Sequence, residues 1–223
     1  MFDIYFLVLI VPTIILSFYA QWKIKSTFAK YATVRSSRNI SGRDVTDLLL
    51  RANRIQQVGI QQVGGNLTDH YDPGAKVVRL SEPVYGKTSI AAIGVAAHET
   101  GHAIQHAVSY GPLALRSKLV PIANIGSSVG PLLAMGGILL SIPFLLDIGI
   151  ILFAGAVLFY IVTLPVEFNA SSRAIAILRS NNVLTESELQ DVRKVLNAAA
   201  LTYIASALSA LMNLVRLILI RRR

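Results

Sequence analysis

Ala97-His98-Glu99-Thr100-Gly101-His102 decides how this chain is read. The stretch spells H-E-x-x-H inside an apolar, helix-compatible run from about Ile90 to Val108. Residues four apart on a helix share one face, about 6 Å apart along the axis. Two imidazoles at that spacing can grip one Zn²⁺, with the glutamate between them set as general base. The leading expectation is a metal-dependent hydrolase, and the rest of the chain must supply a third ligand.

His106 is four residues further on, but it lies about 12 Å along the axis from His98. A third histidine after this motif needs a chain reversal. Here Ala103-Ile104-Gln105-His106 continues the helix, so His106 reads as a polar group near its end. Glu167 is the better candidate. Two long apolar stretches, about Val120–Ile142 and Phe144–Leu164, carry one charge, Asp147, between Lys118 and Glu167. Pro143 and Asp147 mark a short turn, so the pair reads as a membrane hairpin. Such a hairpin returns Glu167 to the side of His98 and His102. Gly126 and Gly130 form G-x-x-x-G, a close-packing signal of low specificity.

The composition agrees with a membrane protein. Of 223 residues, 53% are hydrophobic and 15% charged, against about 25% charged in soluble domains. Lys and Arg number 21 and Asp and Glu 12. Many of the basic residues flank apolar segments, where membrane topology and lipid headgroups explain them better than nucleic acid does. The chain has no cysteine, which excludes disulfides and Cys-ligated zinc.

Ile4–Ala20 is nearly all apolar, and Trp22 and Lys23 follow as an interfacial anchor. A signal peptide would want a basic start and an A-x-A site, so an uncleaved membrane helix is the preferred reading. Lys23, Lys25, Lys30, Arg35 and Arg38 come next, which puts the following region in the cytoplasm. In that region Ser41-Gly42-Arg43-Asp44 resembles a capping box ahead of Val45, Leu48, Leu49, Ala52 and Ile55 at helical spacing. Leu67, Asp69 and Tyr71 alternate with polar neighbours, Asp72-Pro73-Gly74 is a turn signal, and Lys76–Leu80 reads as a strand. A hairpin therefore precedes the H-E-x-x-H helix, which starts near Ser89. The strand at Val77–Leu80 is read equally well as a sheet edge open to an extended peptide or as a core hairpin.

Thr185-Glu186-Ser187-Glu188 is a second capping box, before Leu189, Val192, Val195 and Leu196. The last apolar run, about Ala198–Ile220, either spans the membrane, lies in the interface or enters a protein groove. The expected organisation is an N-terminal membrane helix (1–22), a catalytic region (23–118), a membrane hairpin (119–164), a third-ligand and helical region (165–196) and a C-terminal membrane or interfacial helix (197–223). The expected fold class is mainly α and integral to the membrane. It has a zincin-like H-E-x-x-H helix, a small β-hairpin or sheet, and three to four membrane helices.

The chemistry expected of the site is peptide hydrolysis by zinc-activated water, with Glu99 taking the water's proton and delivering it to the leaving amine. His70, Tyr71, Tyr85, Tyr110 and Arg173 are candidates to stabilise the oxyanion, and spacing distinguishes none of them. Two rivals stand beside this reading: a zinc-binding membrane scaffold without essential proteolysis, and a small transporter component in which the motif is accidental. The intact Glu99 argues against the first, and the large polar region 23–118 against the second.

Several segments together resemble a family. They are Leu67-Thr68-Asp69-His70-Tyr71-Asp72-Pro73, Leu80-Ser81-Glu82-Pro83-Val84-Tyr85, Ala96–Gln105, Leu164–Ser171 and the apolar Ala198–Leu219 tail. The chain resembles bacterial membrane zinc metallopeptidases of the YugP type, the neutral zinc metallopeptidase family. The resemblance implies a multi-pass protein of the bacterial cell membrane, with one Zn²⁺ per chain on His98, His102 and Glu167, and Glu99 as base. Its expected partners are a protein or peptide substrate and the lipid bilayer, with no nucleic acid. A homo-oligomer or a membrane-protein partner is compatible with it. A more distant resemblance is to heat-shock and prenyl-protein endopeptidases of membranes. In many of those an aspartate four residues after the glutamate ligand orients a zinc histidine. Ser171 stands at that position here, with Asn169 two residues nearer, and either could take the orienting role.

Overall fold

Among the described residues, four helices are long and apolar enough to cross a membrane: Phe6–Ala32, Gly111–Leu139, Pro143–Ser180 and Glu186–Arg221. The computed structural model describes residues 4–222. In chain order the helices are α1 (Val11–Ala32, preceded by a π-helical turn, Phe6–Ile10), α2 (Gly42–Ala52), α3 (Glu82–Tyr85), α4 (Ile90–Ala107), α5 (Gly111–Leu139), α6 (Pro143–Ser180) and α7 (Glu186–Arg221). Three strands, β1 (Gly59–Val63), β2 (His70–Asp72) and β3 (Val77–Ser81), lie between α2 and α3. The protein is thus mainly α and integral to the membrane, with one small sheet.

The chain divides into two compact units. The first takes in the chain up to Gln21 together with Gly111–Val166 and Leu201–Arg223. Its core is built from Ala134, Leu146, Phe153, Ala156, Val157, Ala210 and Leu217. Small residues set its spacing: a Cβ on Gly126 would collide with the Leu152 carbonyl oxygen, so α5 and α6 touch backbone to backbone there. Asp147 is not a turn residue, as its sequence suggested. It lies inside α6, and its carboxylate accepts from Arg221 Nε and Nη2 at 2.6 and 3.0 Å. The final apolar run continues α7, and Ala210 and Leu217 carry it into this unit's core.

The second unit comprises Trp22–Tyr110 and Glu167–Ala200. Helix α4 runs through its middle. One side meets Val45 and Leu49 of α2, Ala174 and Leu178 of α6, and Val192 and Val195 of α7. The other side meets Val78 and Leu80 of β3 and Val84 of α3. A helix covered all round has no need of a polar stripe, which explains its run of Ala, Ile, Gly and Val. Leu49, Ile90, Ile93 and Leu178 are fully buried here, each contributing about 1.5–3 kcal/mol.

The capping signals act as the sequence suggests. Ser41 accepts from Asp44 N–H to open α2, and Ser89 accepts from Ala92 N–H to open α4. Thr185 and Glu188 exchange backbone and side-chain bonds ahead of α7. Helix α2 stops at Ala52, so Ile55 is buried beyond its end.

β2 and β3 form the expected antiparallel hairpin, with His70 opposite Arg79 and Asp72 opposite Val77. Asp72 closes its turn by accepting from Gly74 and Ala75 N–H. β3 is not an edge, however. The sheet order is β1-β3-β2, because β1 pairs with β3 in parallel, Gly59 opposite Val77. Both sides of β3 are therefore taken, and the edges are β1 and β2.

Candidate active site

Three side chains converge in the second unit. His98 and His102 come from adjacent turns of α4, and Glu167 comes from α6. Their ligating atoms all lie within 4.8 Å of one another. Glu167 Oε2 stands 3.2 Å from His98 Nε2 and 3.4 Å from His102 Nε2. The two rings meet edge to face, with centroids 4.8 Å apart. Glu167 is 3% exposed, and both histidines are 8% exposed.

This arrangement fits zinc. Tetrahedral zinc with bonds of about 2.0–2.2 Å separates neighbouring ligand atoms by about 3.3–3.6 Å. The two Nε2–Oε2 separations, 3.2 and 3.4 Å, lie at the short end of that range. Two imidazole nitrogens and one carboxylate oxygen form a donor set of the catalytic type, which leaves one position open. The electrostatics agree. Burial pulls the His102 pKa down, yet the hydrogen bond to Glu167 and the charges of Glu99 and Glu167 outweigh it and raise the value. The pocket therefore favours positive charge. Glu99, between the histidines in the motif, is also buried at 8% exposed.

The outer nitrogens of both rings are held. Ser171 Oγ lies 3.1 Å from His98 Nδ1. His102 Nδ1 faces Gln105 Oε1 at 3.0 Å. Gln105 Nε2 donates to Asn169 Oδ1 at 3.0 Å, and Arg173 Nε donates to the same oxygen at 2.7 Å. Ser171 thus touches a histidine directly, whereas Asn169 reaches one through Gln105. Gln105 carries no role in the sequence reading. The signal was its position three residues after His102, on the same helical face.

A close helix contact sets the distance between α4 and α6. A Cβ built on Gly101 would lie 2.7 Å from the carbonyl oxygen of Ala170. Ala is the better helix former by about 1 kcal/mol, but here its methyl meets backbone that cannot rotate away. Gly101→Ala is expected to cost about 1–3 kcal/mol net, and to move α6 and Glu167 with it. Thermal unfolding, together with zinc content, checks this.

The remaining candidates lie elsewhere. His106 Nδ1 is hydrogen-bonded to the Tyr71 hydroxyl at 2.8 Å, and His106 is not in the metal cluster. His70 is exposed on β2, with Nδ1 2.8 Å from the Thr68 carbonyl oxygen. Tyr85 ends α3, half-buried against the core between the sheet and α4. The Tyr110 ring lies under the Arg173 guanidinium, 5.9 Å from its centroid.

Comparison with known proteins points to the same class of metal. Residues 6–222 match the family described as "Putative neutral zinc metallopeptidase". A Bacillus subtilis (strain 168) protein, "Putative membrane protease YugP", is 51% identical over 215 residues, covering 96% of each chain. No solved structure matches. With the match spanning nearly all of its length, and with a buried His-His-Glu cluster able to bind one metal ion, the chain belongs to the neutral zinc metallopeptidase family.

Proposed function

We propose that the protein is a zinc-dependent endopeptidase that cuts membrane or membrane-adjacent proteins. His98, His102 and Glu167 hold the single Zn²⁺, and Glu99 is the general base. The observation that carries this reading is the convergence of His98 Nε2, His102 Nε2 and Glu167 Oε2 beside a motif glutamate on the same helix. The Bacillus relative's description as a "Putative membrane protease" supports proteolysis by a membrane protein.

Bound zinc supplies Lewis acidity that activates water and polarises the scissile carbonyl. The chain's own residues do the rest. Glu99 accepts the proton of the attacking water on its carboxylate and passes it to the departing amine nitrogen. Ser171 and Gln105 keep the two imidazoles oriented through their Nδ1 atoms. β2 is a sheet edge tied to α4 through Tyr71 and His106, so an extended peptide added to that edge runs beside the motif helix.

The active site faces the cytoplasm in this reading. Lys23, Lys25 and Lys30 belong to the same compact unit as His98 and His102, and basic residues beside a span favour the cytoplasmic side.

The test is a comparison of membrane proteomes from cells carrying the active protein and cells carrying Glu99→Gln. Particular uncut proteins should accumulate in the variant and be cleaved when purified active protein is added. Identical proteomes, with a partner's activity that needs the protein but tolerates Glu99→Gln, would favour a scaffold instead.

A further inference from the structure

Arg173 does not reach the metal cluster, yet it ends a chain of hydrogen bonds that does. The chain runs from Arg173 Nε to Asn169 Oδ1, from Gln105 Nε2 to that same oxygen, and from Gln105 Oε1 to His102 Nδ1, at 2.7, 3.0 and 3.0 Å. Gln105 is fully buried. The half-buried Arg173 is steadied by the face of Tyr110.

Every link has a polarity, and a guanidinium sets it. Arginine carries donors only. It therefore selects the oxygen of the Asn169 amide. That oxygen only accepts, so it selects the NH₂ of Gln105. The carbonyl of Gln105 is then the atom left for His102. A carbonyl only accepts, so the proton of the neutral ring sits on His102 Nδ1 and the lone pair on Nε2. That is the tautomer a metal ligand needs. Nε2 then faces Glu167 Oε2 at 3.4 Å, the side of the ring on which a metal ion, or in its place a proton, is held.

We infer that Arg173 is a positioning residue, which fixes the tautomer and orientation of His102 through Asn169 and Gln105. This rests on the proposed role of His102 as a metal ligand. The device is specific to one histidine. His98 Nδ1 meets the Ser171 hydroxyl, which can donate or accept and so imposes no tautomer. It also differs in charge from the carboxylate that commonly orients a metal histidine. Glu99 and Glu167 are already buried acids at this site. A third would add repulsion and desolvation cost, whereas a pair of amides transmits polarity without charge.

The test uses full-length protein in detergent. Zinc affinity is read by competition with a chromophoric chelator, and ligand geometry by the visible spectrum of the Co²⁺-substituted protein. Arg173→Gln can donate or accept, so it removes the polarity, and zinc affinity should fall about 10-fold to 100-fold with a changed Co²⁺ spectrum. Arg173→Lys, again a pure donor, should keep affinity within about 3-fold of wild type. Asn169→Leu should behave like Arg173→Gln. Melting of the chelator-treated proteins separates loss of fold from loss of ligand orientation. Wild-type affinity and spectrum in both Arg173→Gln and Asn169→Leu would overturn the relay alone. A wild-type protein that binds no zinc would overturn the metal-site reading, and the relay with it.

Discussion

Glu99→Gln is expected to retain one zinc per chain and to lose about 10²-fold to 10⁴-fold in turnover, the range for removing a general acid–base group. The substitution is nearly isosteric, so the packing around a residue only 8% exposed is kept. It leaves His98, His102 and Glu167 unchanged. What it removes is a proton acceptor, since an amide cannot take a proton from water at neutral pH. Zinc content and melting temperature should therefore match wild type while peptide hydrolysis falls. A rate unchanged in this variant would remove Glu99 from the mechanism.

Glu167→Ala is expected to be as damaging for the opposite reason. It removes the oxygen that faces both imidazoles, at 3.2 and 3.4 Å. Groups that merely orient a ligand are worth about 10-fold to 100-fold in metal affinity, so losing a ligand should exceed that range and leave no measurable hydrolysis. The fold should persist, because Ala170, Ala174 and Leu178 still pack α6 against the second unit's core. Chelator competition measures the affinity, and circular dichroism shows that the helices remain. Zinc affinity within a few-fold of wild type would mean that another group completes the site.

The parts of this structure that were legible in the sequence are those fixed by short-range chemistry. The caps at Ser41, Ser89 and Thr185 are local hydrogen bonds, and they open α2, α4 and α7 as expected. The Asp72 turn and the β2–β3 hairpin are local too. Glu167 was found because a membrane hairpin constrains where a chain re-emerges, and the structure brings it to His98 and His102.

Long-range partners hid the rest. β1, Gly59-Ile60-Gln61-Gln62-Val63, has no alternation of exposed and buried residues, because its strand identity comes from parallel pairing with β3. Without it, the edge and core-hairpin readings of β3 could not be told apart. Helices α6 and α7 run unbroken through changes from apolar to polar sequence, since a helix satisfies its own backbone in either surrounding. Asp147 looked like punctuation because its partner, Arg221, is 74 residues away. The supports of the histidines were hidden in the same way: Ser171 and His98 are 73 residues apart, and Gln105 and Asn169 are 64 apart.

The proposed chemistry depends on one zinc held by two histidines and by a glutamate that follows a membrane hairpin and returns to their side. Zinc K-edge X-ray absorption on the purified full-length protein tests it most directly. One zinc per chain is expected, with two imidazoles and a carboxylate oxygen around it, and with loss of that oxygen in Glu167→Ala. Three imidazoles around the zinc, or a spectrum unchanged by Glu167→Ala, would contradict it.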